Sequence, residues 1–453
     1  MGRPSLSRLR VIALLLLSFT GIFISSLWFG MNSQKDNVPS LLTQLIPAGH
    51  CTCSSWTNFN CTSSLADGTS FPASSVSRER AWSFQYPRDG SNIALNRSQC
   101  ATAFPGLFED VNRAAAFWES SGGITTEKLD NIPLKNGMAH AAIYNGELYI
   151  LATKAAQHDH RRKIMAVLSA VYRALVAAPE SVPEIEFVFS IEDKLEDVAG
   201  PGLPLWILGR KSSEESVWLF PDFGFWAWEN PNVLVGTYSQ MAQRIKESEN
   251  KMVWSEKIPK LVWRGNLAFA PKLRRRLFEV ARDQPWGDVK EVVWSRKDNF
   301  ISMEDHCKYQ FTAHLEGRSF SSSLKYRQAC NSVVVSHKLQ YIQHHHYLLR
   351  SSGDDQNFVQ VERDFSDLPL KMEALLSNPE RSQRIAENSF KTFHERYLTA
   401  AAEACYWRAL WDGYAKVSHI MANKTAQHGL PYESFILQES SAIMNFEAVA
   451  VEA

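Results

Sequence analysis

Two short segments hold residue types that could do chemistry together. Trp263-Arg264-Gly265-Asn266 ends an apolar run that starts at Lys260, so a guanidinium stands beside a glycine whose missing Cβ lets a ligand approach the backbone. The stretch from His314 to Val335 (HLEGRSFSSSLKYRQACNSVVV) follows residues that alternate like a strand, Tyr309 to Leu315. It breaks at Glu316-Gly317, and Ser319, Ser321, Ser322 and Ser323 then open a helix expected to run to about Asn331. Hydroxyls and free backbone N–H groups at a helix start suit an anion, although a single serine-rich opening is no more than a cap. Two such turns in one strand-helix stretch read as a pocket for a nucleotide-linked phosphate. Arg264, Gly265, Glu316, Gly317, Ser319, Phe320, Ser321 and Lys325 are its candidate lining.

These turns need elements to hold them. From Ile124 onward a strand at Ala141–Leu151 precedes a helix at Arg161–Ala178, and a compact apolar strand, Ile185–Ile191, ends at Glu192-Asp193. After Trp254, strands at 260–263, 289–294, 309–315, 333–336 and 358–361 are interspersed with helices at 272–282 and 321–331. Helices at 367–376, 379–397 and 399–414 close the pattern. Two alternating units predict an α/β protein with two Rossmann-like parallel-sheet domains facing a cleft, ligands sitting at strand C-termini. The divisions expected are 121–253 for the first domain, 254–400 for the second and 401–453 for a C-terminal helix and tail, whose end (423–453) holds no readable motif.

The N-terminus addresses location. Arg3, Arg8 and Arg10 precede an uncharged stretch, 11–30, and about 20 helical residues at ~1.5 Å each span a ~30 Å hydrocarbon core. That is longer than the apolar region of a cleavable signal peptide, and it lacks an A-x-A-like site. The positive-inside rule leaves residues 1–10 cytosolic and the rest luminal, so the expectation is a single-pass type II protein of the Golgi or ER. Residues 31–120, rich in Ser, Thr, Asn and Pro, read as a luminal stem. Asn60, Asn96 and Asn423 begin glycosylation acceptor triplets, and in an oxidising lumen the seven cysteines read as disulfides, one thiol left over.

The run from Leu261 to about Trp411 resembles glycosyltransferase family 90, the capsule-associated-protein-like enzymes that include protein O-glucosyltransferases and fungal capsule xylosyltransferases. It resembles a fungal-type member. The resemblance rests on Pro221 to Trp226 (PDFGFW), Trp263-Arg264-Gly265, Glu316-Gly317 with Ser319-Phe320-Ser321, and Leu324-Lys325-Tyr326 leading to Cys330 and Ser332. Asp364 to Leu368 (DFSDL) and Arg396-Tyr397-Leu398 extend it. It implies a GT-B-like fold and inverting transfer of xylose or glucose from a UDP-sugar to a glycan or protein hydroxyl. Inverting transfer needs a carboxylate to take the acceptor's proton. Asp193 lies at a strand's C-terminal end, and the family places its catalytic aspartate there. Asp364 and Asp367 are candidates for the ribose hydroxyls, their alternative being helix caps. The chain departs from the family where an arginine is usual, two positions after Ser321: here stands Ser323. Arg318 and Lys325 are candidates to supply that charge. A catalytically inactive relative that binds UDP, a glycan or a partner protein is the alternative the departure allows.

Composition fits a large folded enzyme, with 453 residues, 45% hydrophobic and 14 Trp. Lys+Arg and Asp+Glu both number 48, which argues against nucleic acid as a partner and leaves a UDP-sugar, an acceptor and the bilayer at residues 11–30. No Asp-x-Asp clamp for a metal-held diphosphate occurs, Glu362-Arg363-Asp364 being nearest, so no metal and no cofactor beyond the donor are expected. His344, His345 and His346 point in different directions if helical and read as solvated or satisfied.

Overall fold

The apolar stretch read as one strand from Ala141 to Leu151 is a hairpin. β1 (Met138–Tyr144) turns at Asn145-Gly146 into β2 (Glu147–Lys154). Both turn residues have positive φ, 52° and 77°, as a two-residue turn matched to strand twist requires. The computed structural model of the protein describes residues 82–230, 233–293 and 298–441. The expected anchor (11–30), Asn60 and the cysteines 51, 53 and 61 lie outside them. Among the described residues no helix is long and apolar enough to cross a membrane.

β3 (Ile185–Ser190) is buried at all six positions and pairs antiparallel with β1 on one side and parallel with β4 (Trp206–Ile207) on the other. β5 (Arg210–Lys211) leaves this sheet, β6 (Trp218–Leu219) continues it in parallel, and β7 (Ala227–Asn230) with β8 (Val233–Thr237) forms a separate antiparallel pair. The first sheet is therefore mixed, where a parallel one was expected. A two-residue connection can join only antiparallel neighbours.

The second sheet is wholly parallel. β9 (Ile258–Gly265), β10 (Gly287–Glu291), β11 (Tyr309–His314), β12 (Val333–His337) and, past the short β13 (Tyr341–Ile342), β14 (Val359–Val361) lie in the order β10-β9-β11-β12-β14. The chain winds outward in both directions from the β9/β11 boundary, so the loops at the C-terminal ends of these two strands diverge and leave a crevice. β15 (Leu430–Pro431) adds to the first sheet along β2, giving β15-β2-β1-β3-β4-β6.

Residues 82–120, expected in a stem, pack onto the first sheet instead. Helices Arg97–Ala103 and Glu109–Ser120 bury Phe104, Val111 and Trp118, and Cys100 is disulfide-bonded to Cys405. Helix Ala400–Val417 returns from the second lobe to this core: the Tyr414 ring lies 5.4 Å from Trp206 and 5.2 Å from Trp218, and Tyr406 donates to the Leu219 carbonyl at 2.9 Å. One apolar cluster runs from both lobes through Phe320, Tyr326 and Tyr341, while a second fills the other side of the parallel sheet around Leu261, Phe311 and Val335.

Candidate functional site

At the β9/β11 boundary the two turns singled out in the sequence do meet, through a residue the sequence did not mark. Arg274, from helix Pro271–Ala281, donates to the Asn266 carbonyl at 2.8 Å and to the Glu316 carbonyl at 3.2 Å. Its guanidinium lies 5.7 Å from the Trp263 ring centroid and 5.8 Å from that of Phe269. A Cβ on Gly265 would stand 2.5 Å from the Trp263 indole, and one on Gly317 3.3 Å from Arg274, so both glycines are matched to the arrangement. Among the described residues Arg274 has no carboxylate partner, and burial pulls its pKa down to about 10.

A second guanidinium shares this property. Arg327 is buried and donates to the Ser323 hydroxyl, while its Nε finds no partner among the described residues. Burial and, next, the charge of Arg274 pull its pKa down to about 9. Ser319 Oγ is also buried without a partner among the described residues, and Ser321 and Ser323 share a hydrogen bond at 2.9 Å. Two partly desolvated like charges without a counter-ion cost stability, and an anion offsets that cost with charge-assisted hydrogen bonds. Arg274 was hidden because Lys272 to Arg276 (KLRRR) reads as a solvated face. Its signal was position, flanking the buried stripe Leu273, Leu277 and Ala281.

Several expected lining residues are occupied elsewhere. Arg264 pairs with Asp288 at 2.9 Å with its side chain only 6% exposed, and hydrogen bonds from Arg264 and Tyr309 hold Asp288 down at about 2 despite its burial. Glu316 accepts from the backbone of Gln340 and Tyr341 at 2.7 and 2.8 Å and from Arg363 at 2.8 Å, a turn brace with no free oxygen for a ligand. Lys325 forms a buried ion pair with Asp222 at 2.8 Å. The helix after Ser323 spans only Leu324–Gln328, shorter than the expected run to Asn331. Phe320 packs against Gly209, where an added Cβ would stand 2.8 Å from its ring, fixing the approach of the two lobes. Asp364 accepts from the Ser366 N–H at 3.0 Å and Asp367 from the Glu362 N–H at 2.8 Å, both at the rim of a crevice or its flanking turn.

In the loop after β3, Asp193 differs from its acidic neighbours. Glu192 pairs with His160 at 3.1 Å, Glu196 with Lys211, and Asp197 with Arg318 at 3.3 Å. Asp193 is half-buried in the loop after β3 and makes no direct ion pair or hydrogen bond through its carboxylate among the described residues. Burial raises its pKa, while Lys163 and Arg318 act in the opposite direction. Arg318 adjoins Gly317 and Ser319, so the loop that carries the orphan Ser319 hydroxyl also reaches the field of Asp193.

Among the described residues the metal-compatible grouping is Glu249 with Cys307 and Cys330, and those cysteines are bonded to each other. Of the two expectations for the three consecutive histidines, solvated or satisfied, the structure excludes the first and meets the second only in part, His345 pairing with Gln328 at 3.2 Å. The three side chains lie in the core between the lobes, with one ring nitrogen of each unpartnered and burial lowering all three pKa values. Of the glycosylation candidates, Asn96 caps the helix Arg97–Ala103, and Asn423 is exposed on the short helix Ala422–Ala426.

Fold and site together define a two-lobed α/β protein with two buried guanidinium groups near the switch point of its parallel sheet and a half-buried carboxylate in the loop after β3. The chain belongs to glycosyltransferase family 90: the family description "Glycosyl transferase family 90" matches residues 96–430. It is 19% identical over 349 residues to human Protein O-glucosyltransferase 1, covering 73% of this chain and 84% of that protein. It is 25% identical to the Drosophila melanogaster O-glucosyltransferase rumi (52% and 61% covered) and 22% identical to zebrafish Protein O-glucosyltransferase 2 (64% and 58%). The matched segment spans less than two thirds of the fly and zebrafish proteins.

Proposed function

We propose that this chain transfers a sugar, glucose or xylose, from a UDP-sugar to a hydroxyl of a protein or glycan with inversion at C1. The observation that carries the reading is the pair Arg274 and Arg327, without carboxylate partners among the described residues, together with Asp193, whose carboxylate has no direct partner among them and lies in the field of Arg318. The acceptor O–H gives its proton to Asp193 as the oxygen bonds to C1. The C1–O bond to the diphosphate breaks, and its electron pair leaves on the diphosphate oxygen, where Arg274 and the Ser319 hydroxyl meet the developing charge. In this reading Asp364, which lines a crevice with Ala270, Pro271, Leu273 and Arg276, accepts from the ribose hydroxyls. The names of the relatives favour glucose and a protein acceptor. The reaction needs no metal in this reading, and the catalytic lobes face the Golgi or ER lumen, held by residues 11–30. Two disulfides, Cys100–Cys405 and Cys307–Cys330, support an oxidising compartment.

The test is UDP release by the full-length chain from a panel of UDP-sugars, with candidate acceptors and with or without chelator. Asp193→Asn is expected to cut transfer on the order of 100-fold or more while UDP still binds. Transfer undiminished in that variant removes Asp193 as the base. UDP binding with no release from any donor and acceptor favours the inactive relative that Ser323 allows.

A further inference from the structure

Asp193 has no hydrogen bond of its own among the described residues to aim its carboxylate, so its direction depends on the backbone that carries it. That backbone is clamped one residue earlier. We propose that, within the transfer reading above on which this rests, His160 is a positioning residue: held by Asn136, it fixes Glu192 and through Glu192 the loop from which Asp193 meets the acceptor hydroxyl.

The bonds run in series toward that loop. Asn136 Oδ1 accepts the Ala156 N–H at 2.7 Å, which turns the amide nitrogen toward His160, where Nδ2 stands 2.7 Å from Nδ1. An amide nitrogen only donates, so Nδ1 is the acceptor and the imidazole proton lies on Nε2. Nε2 faces Glu192 Oε1 at 3.1 Å and donates to it. A proton on Nδ1 would set two donors against each other, so the amide orientation selects the tautomer that the carboxylate needs. Glu192 is held on further sides as well. Its N–H donates to the Ser190 hydroxyl at 3.1 Å, and Gly137, with φ of 83°, leaves its side chain room, since a Cβ there would stand 3.0 Å from Oε1. The Ile191 N–H donates to the Gly137 carbonyl at 2.9 Å, fastening the end of β3 to the same turn. The side chains of His160 and Glu192 are 14% and 25% exposed, so water screens their contact less than it would a surface pair. Lys163 follows His160 by one turn of helix His158–Val176 and shares its face. Burial raises the pKa of Asp193 and Lys163 opposes the rise, so this face holds the loop through one side chain and tunes the base through the other.

A reacting group misplaced by about 1 Å loses on the order of 100-fold in rate, which sets the size of the effect. With the full-length chain and the donor and acceptor selected by the panel above, His160→Leu is expected to lower kcat on the order of 10- to 100-fold while acceptor KM and UDP affinity stay within about twofold. His160→Gln, whose amide nitrogen still donates to Glu192, is expected to recover most of that loss. A contact that only stabilises the fold lowers the melting temperature and leaves kcat per folded molecule unchanged, and that result overturns the inference. Equal loss in the Leu and Gln variants also overturns it, because the donated hydrogen bond is then not what counts. Native kcat in His160→Leu beside an inactive Asp193→Asn overturns the inference alone, whereas a native chain that releases no UDP with any donor and acceptor overturns the transfer reading with it. Should His160→Leu fail to fold, Asn136→Ala decides: it frees the imidazole to change tautomer and leaves only the exposed Ala156 N–H to water. A kcat lowered on the order of 3- to 10-fold with UDP affinity intact supports the positioning role, and native kcat overturns it.

Discussion

At the scale of the residue, Asp193 differs from Glu192, Glu196 and Asp197 in having no direct partner, and that difference determines its chemistry. A carboxylate already tied to a cation is a poor base, whereas one raised by burial holds a proton more firmly once it accepts it. The sign of the pH dependence follows. Asp193 must be ionised to act, so kcat/KM is expected to fall as pH drops through its raised pKa and to level off above it. Lys163 opposes the rise, so Lys163→Met should move this acid limb to higher pH. A pH profile that Lys163→Met leaves in place would assign the limb to another group. Sequence brought Asp193 into view through its place after an apolar strand, but its solitude depends on His160, Lys211 and Arg318, which are distant in the chain.

At the scale of the element, the end of β9 shows how a glycine and an aromatic ring position a cation. Gly265 leaves room for the Trp263 indole, which lies beside Arg274, and Arg274 in turn bridges the carbonyls of both turns. Gly265→Ala forces the indole to move, since its Cβ would stand 2.5 Å away. The expected result is weaker UDP binding, on the order of tenfold, with a loss of stability of about 1–3 kcal/mol from overpacking. Native UDP affinity in Gly265→Ala, measured by calorimetry, would show that Arg274 keeps its position without the ring. Direct removal in Arg274→Met should weaken UDP by on the order of 10- to 100-fold while uridine binds as before.

The elements also separate what was legible from what was not. The parallel sheet followed from short apolar runs alternating with helices, and the two turns that Arg274 bridges were marked by glycine and serine. The first sheet's hairpin was misread because the apolar residues on either side of the turn, Ala141 to Tyr144 and Leu148 to Leu151, were joined into one run, although Asn145-Gly146 between them was the available signal. Glu316 and Arg264 had the right residue types for a ligand. Their pairing with Arg363 and Asp288 was not legible, because those partners come from other strands' ends and leave no trace in local spacing.

At the scale of the whole molecule, the lobes are joined so closely that they should not melt separately. Asp222 comes from the loop after β6 and Lys325 from the helix after β11, and each side chain is only 1% exposed. Asp222 also accepts the Gly224 N–H at 2.8 Å, so the pair orders the PDFGFW segment as well as the seam. Removing one partner leaves a charge in an apolar surround that includes the rings of Phe225 and Tyr326, each about 5 Å from the ammonium. Asp222→Ala is therefore expected to cost about 3–5 kcal/mol, and the double variant Asp222→Leu with Lys325→Met to recover most of it, because the desolvation penalty disappears with the second charge. The shared core predicts that both variants unfold in one transition, with fluorescence and far-UV circular dichroism coinciding. Two resolved transitions, or a double variant no more stable than the single one, would mean that the lobes are held by something other than this seam.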